Sequence, residues 1–344
     1  MMKALYFTEH GDSSVLKFGD LEQPELKTGE VLIEVKAASL NHLDIWVRKG
    51  WPGINLKLPH IGGSDIAGKV VKSYNQENKG LIGKEVVVNP GVITKEDRWT
   101  RSNEDSLSPG YKILGEQLPG GCAQFAAVPA ANILEYPKNF TAEQAAASVL
   151  VGITSWRMLF NRASLRAEQS VLIVGSGGGV NLMSLLIAKA KGAEVIMICG
   201  GADKSKKALD FGADHVIDYK TDADWHKSVL KLTKGLGAEI VVDNVGSATF
   251  EKSIRSAARG GCVVTVGNTS GWNIAYDNRL IFTKQLSILG STMGSQKDFL
   301  DAMKFIWKKE IKVPIDNVAP LKHGKAMHER IESGEQFGKI VLVP

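Results

Sequence analysis

The sequence predicts an α/β chain in two parts, one rich in β-structure and one built on a doubly wound parallel sheet. Three observations carry this. The first 140 residues alternate apolar and polar positions with period two between Gly/Pro turns. From about residue 141, short apolar runs alternate with amphipathic stretches. A glycine-rich turn, Gly175-Ser176-Gly177-Gly178-Gly179, joins the first of those runs to the next helical stretch.

The elements follow in order. Glu30-Val31-Leu32-Ile33-Glu34-Val35-Lys36-Ala37 alternates as a half-buried strand does, and residues 84–88 form another after Gly80 and Gly83. Residues 94–108 are polar, charged and poor in aliphatic side chains, which predicts a surface lobe without a core of its own. Thr141 opens a helix as its N-cap. The all-apolar run Val171-Leu172-Ile173-Val174 is a buried parallel strand, followed by a helix over 180–191 and a strand over 195–198. A helix over 204–211 closes at Gly212, and residues 216–218, 240–242, 262–266 and 286–289 supply four more strands. A helix over 296–308 and a strand at residues 339–343 return to the first part. The expected division is 1–150 with 295–344 against 151–294.

Composition excludes several classes. The chain has 344 residues, 44% of them hydrophobic, so it can bury a large core. Cys122, Cys199 and Cys262 lie far apart, which excludes a disulfide scaffold and a cysteine metal cluster and fits a reducing cytoplasm. A formal charge of +5, spread along the chain, gives no nucleic-acid footprint. No long uncharged apolar stretch or signal peptide is present, so no membrane association is expected.

The glycine turn predicts a dinucleotide site at Gly175, Ser176, Gly177, Gly178, Gly179 and Val180. Glycines let the backbone approach a pyrophosphate, and the helix start behind them supplies free N–H groups. The second strand ends at Cys199-Gly200-Gly201, with no acid at its tip to hold a ribose diol, and Lys204 follows. That combination suits a 2′-phosphate, so NADP(H) is expected, with NAD as the alternative.

Four segments then carry a family resemblance: Ala37-Ala38-Ser39-Leu40-Asn41-His42-Leu43-Asp44, Gly63-Ser64-Asp65-Ile66-Ala67-Gly68, the glycine loop, and Leu289-Gly290-Ser291-Thr292. In order along nearly the whole chain, they resemble the medium-chain dehydrogenase/reductase superfamily of zinc alcohol dehydrogenases and zinc-free quinone reductases. The resemblance implies a GroES-like catalytic domain and a Rossmann coenzyme domain. It also implies nucleotide contacts from Lys204 and Tyr219; Asn244, Gly267, Asn268, Ser291, Thr292 and Lys339 complete the expected set. Asn181 stands where the last fingerprint glycine is expected, and Gly334 where some relatives hold the phosphate with arginine.

The departures point to function. Zinc relatives carry catalytic ligands where this chain has Asn41, Ser64 and Leu150, and structural ligands where it has Thr94, Asp97, Thr100 and Ser108. None is a thiolate or imidazole, so no zinc is expected, and the lobe is expected to be held by packing of Trp99 or by a subunit contact. Asn41-x-x-Asp44 is the form shown by zinc-free quinone and enone reductases. The candidate catalytic residues are Asn41, His42, Asp44 and Thr154, with His60 as a further proton relay and Trp46 and Trp51 as pocket walls. Asn41 and Thr154 are expected to orient substrate or nicotinamide ribose through hydrogen bonds. A quinone, enone or enal is electrophilic without a metal, so an NADPH-dependent reductase of activated carbonyls is the leading expectation. An alcohol dehydrogenase and a non-catalytic NADPH-binding protein are the alternatives. A homodimer or homotetramer is expected, joined near residues 270–290, with Ile274, Leu280, Ile281 and Phe282 as apolar surface.

Overall fold

The computed structural model describes residues 1–344. The chain divides into two units, the first made of residues 1–151, 294–307 and 312–344, the second of 152–293 and 308–311.

The first unit begins with β1 (Met2–Phe7), β2 (Lys17–Leu21) and β3 (Glu30–Leu40). Helix α1 (His42–Lys49) follows directly on β3, then β4 (His60–Ile61), β5 (Asp65–Ser73) and β6 (Glu85–Val88). The lobe carries β7 (Gly91–Ile93), the single turn α2 (Arg98–Arg101) and β8 (Tyr111–Ile113). Strands β9 (Phe125–Pro129) and β10 (Ile133–Glu135) precede α3 (Ala142–Trp156). The period-two strand runs three residues beyond its predicted end, to Leu40, because its last residues pair with the C-terminal strand. Thr141 caps α3 as expected, accepting from Gln144 N–H at 3.3 Å, while the Gln144 side chain accepts the Thr141 N–H in return.

The second unit is a six-stranded parallel sheet with helices between its strands. It comprises β11 (Ser170–Val174), α4 (Gly179–Lys191), β12 (Glu194–Cys199), α5 (Ala202–Asp210), β13 (His215–Asp218), α6 (Trp225–Leu232), β14 (Ala238–Asp243), α7 (Phe250–Ser256), β15 (Ala257–Thr265), α8 (Asn278–Lys284) and β16 (Ser287–Gly290). The strand order is β13-β12-β11-β14-β15-β16. The order of strand addition reverses at β11, the first strand, so the carboxyl ends of β11 and β14 flank the switch point where such sheets bind nucleotides. Every strand expected from the apolar runs is present. The core is aliphatic, with Leu172, Ile196, Val241 and Val263 among its fully buried members.

The chain then returns to the first unit through α9 (Gln296–Lys308), β17 (Ile315–Pro320), α10 (Gly324–Glu332) and β18 (Lys339–Val343). Strand β18 pairs antiparallel with β3, setting Ile340 opposite Leu40. This register brings the start of β18 beside the β3–α1 junction.

Candidate active site

At that junction the residues form a buried cluster. Asn41 ends the β3 segment and Asp65 begins β5, on a neighbouring strand of the same sheet. The Asn41 amide donates to Asp65 Oδ2 at 2.9 Å and, at 3.5 Å, to the Ser39 carbonyl. Lys339, first residue of β18, donates to Asn41 Oδ1 and to Asp65 Oδ2 at 3.0 Å. The Leu150 N–H of α3 donates to Asp65 Oδ1 at 2.6 Å. Asp65 is fully buried and Lys339 only 3% exposed. The carboxylate thus receives three donors, whereas the ammonium has two acceptors for its three N–H groups. Ser64, next to Asp65 in the chain, is fully buried, and its hydroxyl has no hydrogen-bond partner.

Asp44 accepts the Asn41 N–H and the Gly63 N–H, each at 2.7 Å. It therefore caps α1 and fixes the turn that leads to Ser64. Burial pushes its carboxyl up to about 6, against the two backbone donors and the Lys339 charge. Asp44 is a structural clamp, and the Asn41 side chain is already committed within the protein. Asn41, expected to orient ribose or substrate through hydrogen bonds, has its amide groups facing Lys339, Asp65 and Ser39.

The other expected residues are placed as follows. His42 stands on α1 with its ring 5.9 Å from that of Trp46, and burial holds its pKa below the usual histidine range. Its imidazole is therefore neutral at neutral pH. His60 is buried, against Phe7 and the Gly115 carbonyl at 3.2 Å, which is a structural role. Thr154 is buried in the second unit, its hydroxyl 4.0 Å from the Met293 sulfur. Trp51 is 39% exposed.

The nucleotide residues gather at the carboxyl ends of the parallel strands. Gly175 has φ +94°, a conformation that favours glycine. Asn181, in place of the expected glycine, donates to the carbonyls of Val174 at 2.8 Å and Gly175 at 2.9 Å. It accepts from Asn244, whose Oδ1 in turn receives the Val266 N–H. This chain of amides ties the ends of β11, β14 and β15 together. Helix α4 begins at Gly179, leaving its first N–H groups toward the turn. The Ser291 hydroxyl is buried without a partner, and the Gly267 backbone packs on Asn244.

Around Cys199 the geometry adds a residue that sequence reasoning missed. A Cβ on Gly200 would lie 2.7 Å from the Tyr219 hydroxyl, so only glycine lets that ring cover the strand tip. Asp218 pairs in register with Cys199 and accepts the Gly201 N–H at 2.9 Å and the Lys220 N–H at 3.0 Å. An acid does stand beside the tip, supplied by β13 instead of β12. The run Ile217-Asp218-Tyr219 held that signal, visible only once the two strand ends are set side by side. Lys204 is half-buried at the start of α5, whereas Lys207 is paired with Asp203 at 2.8 Å. Lys339, expected among the nucleotide residues, is bound in the Asn41–Asp65 cluster in the free protein.

The lobe is held by its own side chains. Asp97 accepts the N–H groups of Trp99 and Thr100 on one oxygen and the Ser108 hydroxyl, at 2.8 Å, on the other. The Asp97 N–H donates to the Thr100 hydroxyl, and Thr94 bonds the Gly110 carbonyl. Three of the four positions expected to be ligands in zinc relatives thus meet around one carboxylate. Arg98 stacks over Trp99 at 4.4 Å.

Comparison with known proteins supports one family. The alcohol dehydrogenase GroES-like domain matches residues 27–138 and the zinc-binding dehydrogenase family matches residues 179–308. A zinc-type alcohol dehydrogenase-like protein of Schizosaccharomyces pombe is 31% identical, covering 98% of this chain and 99% of that one. Crotonyl-CoA carboxylase/reductase of Cereibacter sphaeroides is 28% identical over 94% of this chain and 82% of its own length. A crystal structure of an NAD-dependent alcohol dehydrogenase is 38% identical, with a TM-score of 0.94 and full coverage of both chains. With its GroES-like part, its parallel coenzyme sheet and these relatives, the chain belongs to the medium-chain dehydrogenase/reductase superfamily and is an oxidoreductase.

Proposed function

We propose that this oxidoreductase transfers hydride from NADPH to an activated carbonyl compound (an enone, enal or quinone) without a catalytic zinc. The observation that carries this reading is the chemistry of the three ligand positions. Asn41 is held by an ammonium, Ser64 offers a neutral hydroxyl and Leu150 offers no donor side chain. A divalent cation is a poor fit beside the buried Lys339 charge, and the available oxygens are weak zinc ligands. Substrates that delocalise the incoming charge need less polarisation than a simple ketone.

The residues present fit a dinucleotide. The glycine cradle at Gly175, the start of α4 and the Ser176 backbone would hold the pyrophosphate. Tyr219, Lys204, Gly200 and Cys199 would surround the adenosine phosphate, and Ser291, Thr292, Asn268 and Gly267 would line the nicotinamide side. When bound, the reduced nicotinamide supplies the hydride. His42 is the residue we assign to relay a proton to the product, its neutral imidazole taking one from water at one ring nitrogen as it gives one from the other. Exposed Trp272, Ile274 and Phe282 and the open edge of β16 support a homodimer. Leu280 and Ile281 pack inward on the core instead, so they do not belong to that surface.

Steady-state rates with NADPH across enones, enals and quinones, set against alcohols with NAD⁺ or NADP⁺, test the reading. Turnover confined to alcohols would overturn it. A second reading, an NAD-dependent alcohol dehydrogenase, is favoured by Asp218, whose carboxylate beside Cys199 could take a ribose diol. Kd values for NADPH and NADH separate the two cofactors.

A further inference from the structure

We propose that Lys339 is the electrophilic group of this site: its third N–H, together with the Ser64 hydroxyl, receives the carbonyl oxygen of the substrate where related enzymes use a metal. This deepens the reductase reading and rests on it.

The argument is a count of donors and acceptors. Asp65 receives three donors, with Leu150 N–H on one oxygen and Asn41 and Lys339 on the other. Lys339 is not saturated, since Asn41 Oδ1 and Asp65 Oδ2 use two of its three donors. Ser64 has no partner at all although it is fully buried. Buried polar groups are rarely left unpaired without cause. The Lys339 ammonium can only donate and the Ser64 hydroxyl has an O–H to give, so one oxygen lone pair is a ligand that suits both. The pair of Lys339 and Asp65 is neutral as a whole, so the ammonium can be buried; its unspent donor is the part that a ligand would meet.

In reduction of an enal, hydride adds at the β-carbon, the π electrons move toward oxygen, and the oxygen becomes an enolate. Lys339 and Ser64 hold that charge and keep their protons, while the α-carbon takes a proton from water or through His42. Lowering the charge on oxygen matters most where the substrate itself delocalises it least.

The test is Lys339→Ala assayed on an unsubstituted enal and on a benzoquinone, with and without ethylammonium or tetramethylammonium, alongside thermal unfolding. The variant should lose about 10²-fold in kcat/KM on the enal and about tenfold or less on the quinone. Ethylammonium should restore the enal rate and raise the unfolding midpoint, and tetramethylammonium, lacking N–H donors, should do neither. Equal losses on both substrates, or equal rescue by both cations, would overturn the proposal. If Lys339→Ala does not fold, the charge-free pair Lys339→Met with Asp65→Asn replaces it. Loss of enal turnover with quinone turnover kept then supports the proposal, and retention of both overturns it. If the unmodified enzyme reduces neither substrate, the functional reading falls. The ethylammonium-specific rise in midpoint then decides on Lys339 alone, its absence counting against the proposal.

Discussion

In the lobe at residues 94–108 the group at the centre is an anion, Asp97; in the cluster below β3 it is a cation, Lys339. These are the two regions in which the resemblance to zinc relatives implies ligand positions, and their chemistry in this chain differs. The lobe is local: Asp97 draws in Trp99, Thr100 and Ser108 from within a dozen residues, close to solvent. The cluster is non-local and dry, joining residues 41, 65, 150 and 339. A loop can replace a metal by hydrogen bonds to a carboxylate because water covers any shortfall. A buried site must balance its charge as well, and does so with a lysine against an aspartate. The difference predicts that damage to the lobe stays local and damage to the cluster spreads.

The largest effect should come from Lys339→Met, which strands the buried Asp65 charge. A loss of about 3–5 kcal/mol in urea unfolding is expected, and Lys339→Met with Asp65→Asn should recover most of it. A loss no greater than that of a surface lysine would remove the contrast between the regions.

The pH dependence sharpens it next. Asp44 sits at about 6 in the folded chain against 3.8 for the unperturbed group. Between those values the folded chain holds more protons, so Asp44 makes stability fall as pH rises from about 4 to about 6, by about 2–3 kcal/mol in all. Asp97, held low by its hydrogen bonds, works in the opposite direction, adding stability above the ordinary carboxylate range and losing it on acidification. Denaturation midpoints of Asp44→Asn and Asp97→Asn across this range should change the pH slope with opposite signs.

Smaller still is Ser64→Ala. Its hydroxyl has no partner, so removal should leave stability unchanged or raise it by about 1 kcal/mol, measured by the unfolding midpoint. A clear loss would mean that the hydroxyl is satisfied in the free protein. Asp97→Ala should be smallest in global unfolding; hydrogen exchange should quicken at the N–H groups of Trp99, Thr100 and Arg101 and remain slow in β3 and β5. Spread of the exchange into the sheet would show the lobe to be part of the cooperative core.

Much of the fold was readable in advance because it rests on periodicity. The all-apolar runs became the parallel strands, and the polar run at 94–108 became the lobe. Residue type marked the glycine turn, Asn41, Ser64 and Leu150 in advance as places to look, and the structure brings Asn41 and the Leu150 N–H together on Asp65. What escaped depends on partners distant in sequence. Lys339 was expected only as a nucleotide contact, and its pairing with Asp65 and Asn41 appears once β18 is laid beside β3. Asp218 reads as a strand end until it meets Cys199 across the sheet. Asn181 looks like a lost glycine, yet its amide spans two carbonyls and a second asparagine. The lobe was expected to be held by packing of Trp99 or by a subunit contact; the Asp97 carboxylate also ties it together, through hydrogen bonds that no hydrophobic pattern encodes.

The central claim is that hydride transfer here proceeds without a catalytic zinc. The most direct measurement is the rate of NADPH-dependent reduction of an enone by the purified enzyme before and after dialysis against a strong chelator, with the metal content of the same samples determined. The account predicts an unchanged rate at substoichiometric zinc. A rate that collapses on chelation and returns with one equivalent of Zn²⁺ would contradict it.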